Sequence, residues 1–168
     1  MVVELTIREA TIEDLPEIVA IYNATIPGRM VTADLEPVSV ESRKEWFHQH
    51  TPNYRPLWVM ETENKICGWL SLESFYGRPA YHATAEVSIY IKDSFTGKGI
   101  GSTFLEYAIE QAPTLGIKTI LGFVFGHNRP SLQLFYRFGF EKWGELPNVA
   151  ELDDVERDLV IIGKRIDT

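Results

Sequence analysis

The sequence predicts an α+β fold built on a mixed sheet, and three observations carry that expectation. Residues 84–91 alternate strictly, with Ala85, Val87, Ile89 and Ile91 on one face and Glu86, Ser88 and Tyr90 on the other, the period of a strand. Behind a glycine-rich turn, Ile100, Phe104, Leu105, Ala108, Ile109 and Ala112 recur at helical spacing, so a core-packed helix follows. Along the whole chain the elements come as β α α β β β α β α β β, which is not the regular alternation of a doubly wound fold. With 168 residues, 45% of them hydrophobic, the chain holds enough apolar material for one full core, and a single domain over residues 1–168 is expected.

Taken in order, residues 5–8 alternate as a short strand, and Thr11, Ile12, Glu13 and Asp14 resemble a capping box that opens a helix. That helix carries Leu15, Ile18, Val19 and Tyr22 on one face, and Pro27-Gly28 ends it. Residues 29–32 form a loop, and a second helix after Pro37 turns Trp46, Phe47 and His50 inward. Residues 57–61 and 66–73 are apolar strands joined by a polar link at residues 62–65, hence a hairpin. Residues 75–82 break the pattern with Gly77 and Pro79 yet keep Phe75, Tyr76, Tyr81 and Arg78, a composition equally suited to lining a site or covering a sheet end. Residues 119–125 form an apolar strand, and a helix opens at residues 128–131 with Pro130 in its first turn and stops at Gly139. Residues 140–143 are a short strand, residues 151–154 an acidic turn, and residues 155–166 a last long strand.

Composition excludes several classes. The net charge of −8 disfavours a nucleic-acid partner, whose phosphates need a basic surface. The charge is unevenly spread: residues 92–142 carry six basic and four acidic side chains, whereas both flanking segments are acidic, so the glycine turn lies in the only positive stretch. No apolar run is long enough to span a bilayer, and Glu4, Arg8, Glu9 and Glu13 are unlike a signal peptide, so a cytoplasmic protein with no membrane partner is expected. Cys67 is single and apolar-flanked, His48 and His50 are two apart, and neither spacing suits a metal; none is expected.

The turn at residues 97–102 has the look of an anion cradle, because a helix N-terminus offers unpaired N–H groups and a partial positive charge. It is not a P-loop, since Lys98 precedes Gly99 and Ile100 follows. Nor is it a dinucleotide fingerprint, which would need a third glycine at Ser102 or Phe104. Glu86, set between Ala85 and Val87, is a candidate base with a raised proton affinity, although the residues alone favour the other reading, half of an ion pair with an arginine such as Arg78, since buried acids are usually paired.

Lys98-Gly99-Ile100-Gly101 at a strand-to-helix turn, together with Asn128, Ser131, Leu132, Leu134 and the Gly139-Phe140 ending, resembles the GNAT superfamily of acyl-CoA-dependent N-acyltransferases. Ile21-Tyr22-Asn23, Thr32-Ala33-Asp34, Arg78-Pro79-Ala80-Tyr81 and the run from Thr84 to Tyr90 are similar to its phosphinothricin or methionine sulfone (sulfoximine) N-acetyltransferase branch. The resemblance implies a mixed sheet of about seven strands flanked by helices. It also implies acetyl-CoA as cosubstrate and direct acetyl transfer to the α-amine of a small amino-acid analogue, with a homodimer as the common assembly. Glu86 would be catalytic. Ser88, Ile89, Tyr90 and Ile91 would hold the pantetheine arm, and Thr96, Gly97, Lys98, Gly99, Ile100, Gly101 and Ser102 the pyrophosphate. Asn128 and Ser131 would add cofactor contacts. Phe75, Tyr76, Gly77, Arg78 and Tyr81, with Ala85, Glu86 and Val87, would meet the acceptor, Arg78 pairing with its acidic group and residues 30–32 lying opposite. Two positions depart from the pattern: Thr96 replaces a Gln or Arg, and Phe135 a Tyr or His that could protonate the leaving thiolate. The alternatives are a peptide or protein N-acetyltransferase and a non-catalytic acyl-CoA sensor.

Overall fold

The structure is a computed structural model that describes residues 4–166. Seven strands form one sheet: β1 (Thr6–Glu9), β2 (Leu57–Thr62), β3 (Lys65–Ser74), β4 (Thr84–Ile91), β5 (Thr119–Phe125), β6 (Glu141–Leu152) and β7 (Val155–Arg165). Their spatial order is β1-β2-β3-β4-β5-β7-β6. Every neighbouring pair is antiparallel except β4–β5, which is parallel and runs only from Thr84 opposite Thr119 to Glu86 opposite Leu121. Four α-helices accompany the sheet: α1 (Leu15–Thr25), α2 (Lys44–His48), α3 (Ile100–Gln111) and α4 (Arg129–Arg137). None is long and apolar enough to cross a membrane among the described residues.

Period-two alternation sorts the strands between two cores. Trp58 and Met60 of β2, Leu70 and Leu72 of β3, and Ala85 and Val87 of β4 pack with Ile100, Phe104, Leu105 and Ala108 of α3. Leu57, Val59 and Trp69 point the other way, onto Ile18 and Ile21 of α1 and Trp46 and Phe47 at α2. The start of α3 is pressed close to its neighbours: a Cβ on Gly101 would stand 3.0 Å from Leu134 Cδ2 and 3.4 Å from Ile91 Cδ1. Gly99 precedes it with φ +78°, a conformation other residues rarely adopt.

Several expected boundaries shift for physical reasons. The capping box at Thr11 and Asp14 caps a 3₁₀ turn, Ile12–Asp14, from which α1 continues. The second helix is only five residues long and ends before His50, which still tucks its Nδ1 against the Arg55 carbonyl. The largest difference is β6, expected over residues 140–143 but extended from Glu141 to Leu152. Gly144, Pro147 and Asn148 look like an ending, yet β6 is an edge strand, where a missing N–H is tolerated, and two register shifts absorb the irregularity. Its turn to β7 is tight, with Asp153 and Asp154 both at positive φ.

Phe104 is fully buried where α3 meets the sheet. Phe104→Ala should therefore lower unfolding stability by about 3–5 kcal/mol, read as a lower urea midpoint at an unchanged m-value.

Candidate active site

Beyond Glu86, β4 turns away from β5 and its remaining residues pair only with β3. The backbone groups of residues 87–91 that would face β5 are left open to a wedge-shaped cavity of about 640 Å³. One wall is the open edge of β4, with Ser88, Ile89, Tyr90 and Ile91, and the other comprises Gly122, Phe123 and Val124 of β5. At its ends lie Thr96, beside the turn into α3, and Asn128 and Ser131 at the start of α4. Met30 and Val31 also border this cavity, so the loop that holds them forms part of its wall. Asn128 explains why: its Nδ2 donates to the Met30 carbonyl at 3.1 Å, while its Oδ1 accepts the Ser131 N–H as the cap of α4. His127 adds a contact to the Arg29 carbonyl at 2.8 Å.

The glycine turn into α3 has a left-handed backbone. Gly97 and Gly99 are both left-handed, at φ 76° and 78°, and α3 begins without a side-chain cap, leaving first-turn N–H groups at Ile100, Gly101 and Ser102 unsatisfied by any cap. Thr96 spends its hydroxyl on the Asp93 carbonyl at 2.9 Å, and Lys98 lies over the Phe95 ring at 5.2 Å. Among the residues present, the open β4 edge suits an extended amide-bearing arm, and the uncapped helix start suits a phosphate group, so the cavity fits acyl-CoA.

A second cavity, of about 250 Å³, lies on the α1 and α2 face of the sheet and shares Ser88 and Tyr90 with the first. The register explains its floor: Trp69 opposes Tyr90, Ser71 opposes Ser88 and Glu73 opposes Glu86, each pair on the same face. Tyr22, Asp34, Arg43 and Trp46 complete the walls. Tyr22 donates to Asp34 and lies 2.5 Å from the Thr32 hydroxyl, and Arg43 pairs with Asp34 at 3.2 Å. Burial first, and the Asp34 hydrogen bond after it, push the Tyr22 phenol above its ordinary range. Burial does the same to Tyr90, which stays protonated.

Glu86 is half-buried on this face, and no ion pair to it is present among the described residues. Arg78, the partner considered for it, is exposed on the loop between β3 and β4. Burial, and after it the Glu73 carboxylate across the strands, push the Glu86 carboxyl above the ordinary glutamate range. Ala85 and Val87, its neighbours, are buried on the opposite, α3 face.

Phe75, Tyr76, Gly77, Arg78 and Tyr81 lie past the strand ends and line neither cavity. Phe75 meets Tyr76 and Tyr81 edge-on at 4.4 and 5.5 Å, and Tyr76 is 80% exposed. Arg43, Trp46, Ser71 and Glu73, which wall the smaller cavity, escaped sequence reasoning. The signal available for Glu73 and Ser71 was their place in the predicted hairpin, opposite Glu86 and Ser88 once the register is set. Phe135 lines the larger cavity, packs against Phe140 at 5.1 Å and carries no hydroxyl, while Tyr136 is exposed.

A profile of the Acetyltransferase (GNAT) family matches residues 16–140. YwnH of Bacillus subtilis, provisionally named a phosphinothricin acetyltransferase, is 53% identical over 163 residues, covering 96% of this chain and 99% of its own. The L-methionine sulfoximine/L-methionine sulfone acetyltransferase of Pseudomonas aeruginosa is 30% identical over 147 residues, covering 87% of this chain and 86% of its own. Among solved structures, a GNAT phosphinothricin acetyltransferase of Sinorhizobium meliloti in complex with acetyl-CoA matches with a TM-score of 0.91 at 26% identity, covering 96% of this chain and 88% of that one. With the splayed β4 edge and uncapped α3 start, the profile match and these similarities establish that the chain belongs to the Acetyltransferase (GNAT) family, the acetyl-CoA-dependent N-acetyltransferases.

Proposed function

We propose that this protein moves the acetyl group of acetyl-CoA directly to the α-amine of a small amino-acid analogue of the phosphinothricin, methionine sulfone or methionine sulfoximine type. The observation that carries this reading is the meeting of two cavities at Ser88 and Tyr90, one pleat from Glu86. The smaller, at about 250 Å³, suits a compact amino acid better than a peptide segment. Names borne by the Bacillus and Pseudomonas relatives point to the same substrate class.

Acetyl-CoA supplies the activated thioester when bound. In this reading, N–H groups at the start of α3 hold its pyrophosphate, and the open edge of β4 at residues 89–91 bonds its arm and faces the carbonyl oxygen as charge builds there. The Ser131 hydroxyl borders the same slot, whereas Asn128 shapes it through the Met30 loop. Glu86 takes the proton from the acceptor amine, directly or through water, a role suited to a half-buried carboxyl of raised proton affinity. A covalent route through Cys67 is disfavoured, since its thiol is buried in the α3 core, donates to the Met60 carbonyl and is pushed up by burial. Phe75, Tyr76, Gly77, Arg78 and Tyr81 enter the reading through a homodimer, in which the exposed loop of a second copy is brought to the acceptor cavity.

Incubation with acetyl-CoA and a panel of amino acids, their sulfone, sulfoximine and phosphinate analogues and short peptides, read by mass spectrometry, should add one acetyl group to the analogues; acetylation confined to peptides refutes the assignment. Glu86→Gln should lower kcat/KM by about 10²–10⁴-fold with acetyl-CoA affinity unchanged in calorimetry. The same variant has a stability signature. Because the folded state raises the proton affinity of Glu86, the parent loses stability as pH rises through that group's folded titration, and the variant does not. Its thermal midpoint should exceed the parent's near about pH 8 and converge with it toward about pH 4.

A further inference from the structure

Two carboxylates standing opposite each other on adjacent antiparallel strands repel, and sheets ordinarily avoid the arrangement. Here Glu73 and Glu86 occupy such a pair on the half-buried face of β3 and β4. No cation bridges either of them among the described residues. The basic side chain that lines the cavity, Arg43, is already paired with Asp34. Glu73 is also held in place: Trp46 Nε1 donates to its Oε1 at 3.0 Å, and Trp46 is itself wedged edge-on against Trp69 at 5.4 Å and His50 at 4.9 Å. A fixed carboxylate lining a small cavity, beside a second one with no counter-charge, is a receptor for a cation.

We propose that Glu73 docks the ammonium group of the acceptor and holds it against Glu86, making Glu73 a specificity-determining residue that selects acceptors entering as cations. This rests on the acetyltransferase reading above and adds to it a division between the carboxylates. The ammonium N–H breaks and its proton passes to a Glu86 oxygen, leaving a neutral amine and a protonated Glu86, while Glu73 remains a carboxylate and keeps its Trp46 hydrogen bond. The other titratable groups around the pair are Tyr90 on β4, Tyr22 on α1, Asp34 and Arg43 on the connection to α2, and His50 just beyond α2. Burial lowers His50 and raises both phenols, which keeps these three groups neutral near pH 7 and leaves the Glu73–Glu86 pair as the cation-binding charge.

The test is Glu73→Gln, which keeps an oxygen for Trp46 and removes only the charge, with Glu73→Asp as the charge-retaining control. Calorimetric titration of methionine sulfone into the parent loaded with CoA should show binding, weakened about tenfold or more in Glu73→Gln and partly restored in Glu73→Asp, with CoA affinity the same in all three. In turnover, Glu73→Gln should raise the acceptor KM by the same factor, change kcat less, and move the acid limb of kcat/KM to lower pH, because Glu86 loses its repelling neighbour. The shift of that limb reports the Glu73 charge beside Glu86, whereas the loss of acceptor affinity with CoA affinity unchanged is the readout that a purely structural Glu73 would not move. Equal acceptor affinity in parent and Glu73→Gln, or no binding of any cationic acceptor to the parent, overturns the proposal. Binding that depends on Glu73 without any acetylation upholds the docking and overturns the acetyltransferase assignment alone.

Discussion

Everything functional in this fold depends on where the pairing of β4 with β5 stops. Three residue pairs hold the parallel strands together, from Thr84 to Glu86, and then β5 continues on β7 while β4 continues on β3. An unpaired buried backbone group costs about 1–3 kcal/mol, so a sheet that opens in its middle must have its exposed edge satisfied by water or by a ligand with amides of its own. The opening persists because each strand is anchored on its far side by a long antiparallel partner, seven pairs for β4 on β3 and seven for β5 on β7. The split is thus built into the fold.

The same point fixes the position of Glu86. Glu86 is the last β4 residue still paired to β5, so it stands where the wedge begins to open; it lines neither cavity itself, and the two meet along the same strand at Ser88 and Tyr90. Downstream, β4 leads through a 3₁₀ turn, Asp93–Phe95, into the glycines and the start of α3. One strand of eight residues therefore spaces a carboxyl and an open hydrogen-bonding edge in linear order. Distances between these functions are governed by strand rise, which makes them insensitive to the rest of the chain.

Much of that line was readable in the sequence because it is local. Alternation marked residues 84–91, the glycines marked the left-handed turn, and helical spacing marked α3, all within thirty residues and each with its own period. The smaller cavity was far less legible. Glu73 and Ser71 become part of the site only through cross-strand register, and Trp46 and Arg43 only through the way an irregular connection with a five-residue helix folds over the sheet. The aromatic loop is hard to place for the opposite reason: its composition suits a binding wall, but the strands end at Ser74 and Thr84, which carries it past both cavities of its own chain. Pro147 similarly reads as a strand end until β6 is known to lie at the sheet edge.

A repelling carboxyl pair in the centre of a sheet survives only if neither strand can move to relieve it. Ala85 and Val87 flank Glu86 and are sunk into the α3 core, and Leu72 beside Glu73 is fully buried in the same core. Rotating either strand to carry its carboxylate into water would pull these side chains out of a packed interior, and burial of one such aliphatic side chain is worth about 1.5–3 kcal/mol. The α3 core thus holds the two charges in register, and the face away from α3 can keep a pair that it would not sustain alone.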